Sequence, residues 1–377
     1  MNEDFLRGRD AFGLQQYSRA RRLFERAAIS GVAGAFTDLG LIALNGLVDT
    51  PDAKLARTQF VEGAKRGDAE SHYWLAILSL ASSPEGLNDS DFRLHFIAAV
   101  QGRFSGALRA FVLLAARSPQ FYSHAAAAWA QAIALKDPLA IYLKSLPQTN
   151  PELSWLDDDV VATTPNAKLI EQVLLWQPES VQAVLLGPNV RLLRNALSQF
   201  ACLYLKTLAG PRLQPAMVLD PKTGARLRTH LRTNSYAPIG PESADLAVRI
   251  IEVRIAELAG SELARAEPIS ILRYGVGEEY KPHRDYLHDA KELYSDRPGQ
   301  RTRTVFAYLN AVEIGGETEF LHWNQRINPE LGALVMFDNV RADGQPEPDS
   351  VHAGLPVLAG EKWLATLWFR ERPLRIW

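Results

Sequence analysis

The chain has 377 residues, of which 47% are apolar and 22% charged, and its formal net charge is −2. This composition is typical of a folded protein of two or three domains and excludes a disordered chain. The near-zero charge argues against a general surface for nucleic acid or anionic membranes. The single cysteine, Cys202, excludes an internal disulfide framework and a cysteine-rich zinc site.

The N-terminus is too charged for a secretory signal, and no apolar run approaches transmembrane length. We therefore expect a cytoplasmic protein with neither a membrane nor a nucleic acid as its partner.

Residues 1–146 contain a repeated pattern. Gly31, Gly67 and Gly102 lie 36 and 35 residues apart, each preceded by small residues and flanked by large apolar residues at helical spacing. A degenerate fourth copy covers residues 130–143. Periods of this length are typical of stacked helical hairpins. The pattern resembles Sel1-like repeats, which are related to the tetratricopeptide repeat, and a plain helical bundle is the alternative.

Residues 147–187 break this pattern with prolines and an acidic run, so we interpret them as a linker with a connecting helix at 169–186. A new domain, predicted to cover residues 188–377, then begins with a predicted strand and helix in residues 187–205. It continues with short segments rich in β-branched and aromatic residues: ISILRY, TVFAYL, TEFLHW, ALVMFD and WLATLWFR. Because no long helix separates these segments, we expect an antiparallel sandwich or barrel, and the whole chain is predicted to be α+β and multidomain.

The segment YKPHRDY contains the first candidate for chemistry. Alternate residues of a strand point to the same face, so His283 and Asp285 can converge on one metal ion. The histidines that follow are His288, His322 and His352. His352 is the best third ligand, because Lys362 lies ten residues later on another predicted strand and can hold an acidic co-substrate. Two histidines and one carboxylate suit Fe(II) chemistry with oxygen, and a solvated strand face is the alternative.

Four longer segments carry a family resemblance: RYGVGEEYKPHRDY, RTRTVFAYLNAVEIGGETEF, PELGALVMFDN and SVHAGLPVLAGEKWLATLWFR. Together they resemble the prolyl 4-hydroxylase branch of the Fe(II)- and 2-oxoglutarate-dependent oxygenases, over residues 188–377. The resemblance implies that the repeat array is followed by a double-stranded β-helix, or jelly roll, with a metal at one mouth.

The resemblance also assigns roles to individual residues. The metal-binding facial triad corresponds to His283, Asp285 and His352. Lys362 matches the residue that binds the distal carboxylate of 2-oxoglutarate. Further candidates for holding this co-substrate are Tyr274, Thr318, Tyr308 and Thr366. Positions that face the target proline correspond to Tyr280, Arg301 and Trp368. Two departures, Leu321 in place of a usual proline and Arg370 in place of a histidine found in some relatives, leave the substrate open.

By this resemblance the protein is an enzyme that hydroxylates a peptidyl proline in a protein substrate. Its cofactors would be Fe(II), 2-oxoglutarate and O2, with ascorbate as reductant, and its products would include succinate and CO2. We expect the helical repeats to bind the protein substrate and feed it toward the oxygenase. Two alternatives are an oxygenase that acts on another residue or a small molecule, and a non-catalytic repeat scaffold. The complete set of metal-binding and lysine residues argues against the scaffold.

Overall fold

The computed structural model describes residues 2–146, 151–158, 160–176, 181–219, 226–227, 230–240, 244–287 and 298–375. Within them, helices dominate the first half of the chain and antiparallel strands the second. No single helix in these ranges is long and apolar enough to cross a membrane. One pair, Ser90–Gln101 with Ser105–Ala115, has the required length and composition only when taken together, and it is bent by 113°.

The N-terminal half is an array of helical hairpins. Its helices are α1 (Glu3–Gly13), α2 (Tyr17–Ile29), α3 (Ala33–Leu44), α4 (Ala53–Ala64), α5 (Ala69–Ser82), α6 (Ser90–Gln101), α7 (Ser105–Ala115), α8 (Tyr122–Ala134) and α9 (Pro138–Ser145). Consecutive helices pack against each other, α1 on α2, α3 on α4, α5 on α6 and α7 on α8. The predicted array of helical repeats is thereby confirmed.

The repeat period is set by the residue that reverses the chain after every second helix. Gly31 and Gly67, which follow α2 and α4, both have φ near +80°. In the third repeat Gly102 has φ −70°, and Arg103 takes the left-handed conformation with φ +61°. The equivalent residues are therefore 31, 67 and 103, at a constant spacing of 36. Gly102 is the C-cap residue of α6, so the repeat is present as predicted, and the left-handed conformation falls on the residue after the glycine.

The C-terminal half contains two facing sheets. Its strands are β1 (Gln182–Leu185), β2 (Val190–Arg194), β3 (Gln214–Pro215), β4 (Val218–Leu219), β5 (Arg226–Leu227), β6 (Ser235–Ile239), β7 (Ile269–Tyr274), β8 (Tyr280–His283), β9 (Arg301–Tyr308), β10 (Ile314–Gly315), β11 (Thr318–Phe320), β12 (Gln325–Ile327), β13 (Leu334–Asp338), β14 (His352–Gly354), β15 (Val357–Ala359) and β16 (Lys362–Arg370). The major sheet has the order β1-β2-β13-β9-β16-β7-β6-β3, and the minor sheet has the order β12-β11-β14-β8. Both are antiparallel, and together they form the predicted double-stranded β-helix.

Three more helices connect or cover these sheets: α10 (Ala167–Leu175), α11 (Gln199–Ala209) and α12 (Leu246–Ala259). The connecting helix predicted for 169–186 ends at Leu175, and β1 follows at Gln182. The helix prediction is wrong for Gln182–Leu185, because these residues pair with β2 in the next segment of chain. The major sheet thus begins inside the segment interpreted as a linker. Residues 147–150, 159 and 177–180 of that segment lie outside the described ranges, and the predicted domain boundaries stay predictions.

The two faces of the major sheet have different neighbours. Its outer face carries residues such as Ile271 and Leu367, which share one core cluster with α11, α12 and the array. Helix α12 packs on α5 and α7 of the array. The inner face carries Tyr274, Phe306 and Tyr308, which form a second cluster with residues of the minor sheet. The array is therefore attached to the side of the sheet opposite to the space between the two sheets.

Candidate metal and co-substrate site

The three predicted metal ligands meet between the sheets. The antiparallel pairing of β8 with β14 places His283 directly opposite His352. Asp285 approaches both rings, with Oδ1 3.6 Å from Nε2 of His283 and Oδ2 3.9 Å from Nε2 of His352. One ligand atom from each residue lies within 4.8 Å of the others. Asp285 lies beyond the end of β8, so the predicted alternation along a strand does not explain its direction.

Hydrogen bonds orient each of these side chains. The Nδ1 atoms of His283 and His352 lie 2.8 Å and 3.0 Å from the carbonyl oxygens of Lys281 and Ser350. A carbonyl only accepts, so each Nδ1 carries the proton and each Nε2 presents a lone pair to the centre.

The carboxylate of Asp285 is held by a chain of two hydrogen bonds. Oγ1 of Thr304 donates to Oδ2 of Asp285 at 2.8 Å. Nδ2 of Asn339 in turn donates to Oγ1 of Thr304 at 2.9 Å. Asn339 is fully buried, so this chain is shielded from water. Outer hydrogen bonds of this kind fix the direction of a metal ligand.

The protonation states suit a divalent metal. Burial lowers the pKa of His283, and the neighbouring His352 lowers it further. Burial works to raise the pKa of Asp285, but His352, His283 and Arg301 outweigh it and hold that pKa below its usual range. Near neutral pH the site therefore offers neutral imidazole at His283 and an ionised carboxylate. This donor set, two imidazoles and one carboxylate, fits Fe(II) with open positions for other ligands.

The other predicted histidines do not join the site. His322 is 56% exposed, and its Nε2 lies 3.2 Å from Oδ2 of Asp349. His288 lies outside the described residues. The three residues that the sequence favoured are therefore the ones that the fold brings together.

Lys362 is a buried cation beside this centre. Only 1% of the residue is exposed, and its Nζ lies 5.3 Å and 5.7 Å from the ring centroids of Tyr274 and Tyr308. Among the described residues, no carboxylate lies within 4.0 Å of this ammonium. Burial lowers its pKa to about 7, although Glu317 acts in the opposite direction. A buried lysine without a counter-ion fits a site for an anionic group of a ligand.

The remaining co-substrate candidates are buried between the two sheets. The hydroxyl of Tyr308 donates to Oγ1 of Thr318 at 2.8 Å. Thr318 follows Gly315 and Gly316, which have φ +79° and +74°, in agreement with the predicted tight turn. Thr366 is buried on the same face of β16 as Lys362, four residues further along the strand.

The predicted substrate-facing residues form two pairs of stacked groups. The ring of Tyr280 stacks on that of His283, with centroids 3.4 Å apart. The guanidinium of Arg301 lies 4.1 Å from the ring centroid of Trp368. Arg301 also makes a two-pronged ion pair with Glu267, with N–O distances of 2.7 Å and 2.8 Å. The structure thus brings these aromatic and cationic groups to the metal centre.

The segments that form this site are similar in sequence to known proteins. Residues 269–370 match the model of the 2OG-Fe(II) oxygenase superfamily. Prolyl 4-hydroxylase 1 of Arabidopsis thaliana is 36% identical over 200 residues, which cover 49% of this chain and 70% of the relative. Probable prolyl 4-hydroxylase 3 of the same plant is 30% identical over 266 residues, covering 63% of this chain and 88% of the relative. The chain belongs to the prolyl 4-hydroxylase family. It is therefore a 2-oxoglutarate- and Fe(II)-dependent dioxygenase.

Solved structures give two further similarities. A viral collagen prolyl hydroxylase from Paramecium Bursaria Chlorella virus-1 is 26% identical with a TM-score of 0.39, and the match covers 49% of this chain and 97% of that one. A protective antigen of uropathogenic Escherichia coli with an SLR fold is 19% identical with a TM-score of 0.30, and it covers 42% of this chain and 33% of that one.

Some polar residues of this prolyl 4-hydroxylase site were missed in the sequence. They are Arg232, Glu267, Thr304 and Asn339. Thr304 had a detectable signal, since it lies four residues before Tyr308 and alternation in a strand places both on one face. The guanidinium of Arg232 lies 4.9 Å from the ring centroid of Tyr280, but no local pattern indicates this contact. It depends on a bridge between distant segments of the chain.

Proposed function

We propose that this dioxygenase hydroxylates a peptidyl proline in a protein substrate. The observation that carries the proposal is the convergence of the His283, Asp285 and His352 triad with the buried Lys362. Stacked aromatic and cationic groups lie beside that triad, as a proline-containing peptide would require. The relatives named prolyl 4-hydroxylase support the same substrate class.

The triad would hold Fe(II), and Lys362 would bind the distal carboxylate of 2-oxoglutarate. When bound, Fe(II) with 2-oxoglutarate and O2 supplies the chemistry that puts one oxygen atom into a C–H bond and the other into succinate, with loss of CO2. Thr304 keeps the carboxylate of Asp285 directed at the centre. Tyr308 and Thr318, joined by their hydrogen bond, would line the 2-oxoglutarate site, and both side chains are buried between the two sheets.

The stacked groups would position the substrate. The parts of the Tyr280 and Trp368 rings that His283, Arg232 and Arg301 leave uncovered would pack against a proline ring. Arg301 is fixed by Glu267 and Trp368, and its remaining N–H groups would donate to the peptide backbone. Ascorbate as reductant and a cytoplasmic location stay predictions.

We further propose that the helical array binds a protein. The array lies against the outer face of the major sheet, so a substrate held there would have to extend around the sheet to reach Fe(II). Hydrogen exchange of the full-length protein with a protein substrate will test this. Protection in α1–α8 is the expected result, and protection confined to the two sheets would contradict it.

Assembly of the site is tested without any substrate. Anaerobic addition of Fe(II) and 2-oxoglutarate should give a visible charge-transfer band. We expect His283→Ala to abolish the band. Lys362→Ala should require about 10- to 100-fold more 2-oxoglutarate to give the band, because it removes a charge-assisted hydrogen bond to the co-substrate. No band in folded wild-type protein would contradict the assigned site.

The substrate class is tested separately. Proline-containing peptides, incubated with Fe(II), 2-oxoglutarate and O2, should gain one oxygen atom that fragmentation mass spectrometry places on proline. Oxygen on another residue would favour the alternative oxygenase. Succinate formation that no peptide stimulates would contradict the proposed substrate class.

A further inference from the structure

A cavity of about 680 Å³ lies where the array meets the helices on the outer side of the major sheet. Its wall is formed by the C-terminal ends of α7 and α10, the start of α11 and one side of α12. The apolar part of this wall includes Leu87, Leu113, Leu174, Trp176, Ile250 and Val253. None of the residues assigned above to the metal, co-substrate or substrate lines this cavity. A volume of this size is in the usual range for small-molecule sites.

Two arginines in the wall are matched by one carboxylate. Arg117 is anchored by its own donors, because Nε donates to the carbonyl of Leu114 at 2.8 Å and Nη2 to that of Val173 at 2.7 Å. Burial lowers the pKa of Arg117 to about 10, and the positive charge of Arg254 adds to this effect. Arg117 is thus a fixed cation with a second cation nearby.

Arg254 makes fewer polar contacts than Arg117. Its side chain is 31% exposed, and the nearest approach to a carboxylate is 4.0 Å, between Nη1 and Oε2 of Glu257. Within the described part of the chain, its guanidinium makes no hydrogen bond. A partly buried guanidinium with unused donors is costly unless an anion compensates it.

We propose that this cavity binds a small organic carboxylate with an apolar body. The carboxylate would lie between Arg117 and Arg254, since a guanidinium matches a carboxylate in shape and charge. The apolar body would pack on the leucine and tryptophan wall. Because this wall combines residues of the array with residues of α11 and α12, the bound molecule would hold the two halves of the protein together. This inference does not depend on the proposed proline substrate.

Thermal unfolding of the full-length protein tests the proposal, with 4-phenylbutyrate and octanoate as probes. Saturating 2-oxoglutarate is present throughout, so that the probes do not report on Lys362. We expect each carboxylate to raise the Tm with increasing concentration, by about 2 °C at ten times its Kd. The uncharged alcohols 4-phenylbutanol and octanol should leave the Tm unchanged.

Two variants localise the effect. Arg254→Gln removes the unsatisfied guanidinium and should abolish the shift, and isothermal titration should show at least tenfold weaker binding. Arg212→Gln removes an exposed arginine next to α11 and should retain the full shift. The proposal is overturned if neither carboxylate raises the wild-type Tm, if Arg254→Gln keeps the shift, or if the alcohols act equally well.

Discussion

Thr304 orients the single carboxylate of the candidate metal site. Its hydroxyl links Asp285 to Asn339, and all three residues are buried. Replacing Thr304 by valine keeps the shape of the side chain but removes the donor to Oδ2. We expect Thr304→Val to weaken Fe(II) affinity by about 10- to 100-fold, the usual effect of losing an outer hydrogen bond at a metal ligand. The measurement is anaerobic Fe(II) titration, followed by the charge-transfer band.

The matched control for this variant is Thr302→Val on the same strand. The hydroxyl of Thr302 donates to the carbonyl of Phe369 at 3.2 Å and has no contact with Asp285. Its loss should leave Fe(II) affinity within twofold of wild type. If both variants weaken Fe(II) affinity equally, Thr304 contributes to the stability of β9 and not to the direction of the Asp285 carboxylate.

The depressed pKa of Lys362 has a consequence for co-substrate binding. With a pKa of about 7 in the unliganded site, the lysine is charged below pH 7 and neutral above it. Only the charged form attracts a carboxylate, so the apparent Kd for 2-oxoglutarate should be constant below about pH 7. Above that pH it should rise, with a limit of about tenfold per pH unit. Titrations from pH 6 to pH 9 check this profile.

An arginine at position 362 distinguishes the effect of side-chain charge on 2-oxoglutarate binding from the effect of side-chain geometry. Arginine stays protonated throughout this range, so the Lys362→Arg variant should bind 2-oxoglutarate more weakly but with a flat pH profile. A profile in the arginine variant that still rises above pH 7 would assign the titration to another group.

The sequence indicated the three candidate metal ligands more clearly than the residues that orient them. His283, His352 and Lys362 were recognisable because each belongs to a short segment with a characteristic neighbourhood. Asp285 was placed correctly beside the histidines, but for the wrong reason, since it follows the end of β8 and depends on Thr304. Arg232 and Glu267 reach the site through contacts between distant segments, which no local pattern contains.

At the level of elements, the turn before β11 gives a test of backbone conformation. Gly315 has φ +79°, and a Cβ at this position would lie 2.5 Å from the carbonyl oxygen of Pro356. We expect Gly315→Ala to lower the free energy of unfolding by about 1–3 kcal/mol. It should also weaken 2-oxoglutarate binding, because the turn places Thr318. Urea unfolding and 2-oxoglutarate titration measure the two effects.

Substitution of Gly344 is the control that distinguishes the cost of a left-handed backbone conformation from the cost of a steric clash. It has φ +80°, and a Cβ there would meet nothing within 4 Å. Gly344→Ala should cost about 1–2 kcal/mol from the left-handed conformation alone and leave 2-oxoglutarate binding unchanged. Unaltered 2-oxoglutarate affinity in Gly315→Ala would show that Thr318 keeps its position despite the substitution.

Composition predicted the strands of the major sheet, because strands that are buried on both faces are rich in β-branched and aromatic residues. The predicted segment ISILRY is β7 in full, and TVFAYL and WLATLWFR lie largely within β9 and β16. The minor-sheet segment TEFLHW contributes only three residues, Thr318–Phe320, to β11. The strand β1 was missed because its residues form a strand through pairing with β2, and the segment itself is short and largely exposed.

At the scale of the whole molecule, the array and the oxygenase share a polar contact as well as an apolar core. Arg109 of α7 pairs with Asp137 of the array and, at 3.0 Å, with Asp245 at the start of α12. The Tyr204 hydroxyl also donates to Asp245. These groups are largely buried, and the pair of Arg109 with Asp245 joins the two halves of the chain. The two halves are therefore parts of one folded unit.

This shared core changes what removal of the array would do. Without residues 1–146, the outer surfaces of α11 and α12 lose their cover, including the contact of Trp129 with Phe200 at a centroid distance of 5.6 Å. Asp245 would also lose Arg109. We therefore expect the fragment 147–377 to be insoluble or to lack a cooperative unfolding transition, because buried apolar surface and a paired charge become exposed. Circular dichroism and thermal unfolding of the fragment check this. A soluble fragment that unfolds cooperatively and binds 2-oxoglutarate like the full chain would show that the oxygenase folds independently of the array. Protein binding would then be the only role proposed for the array.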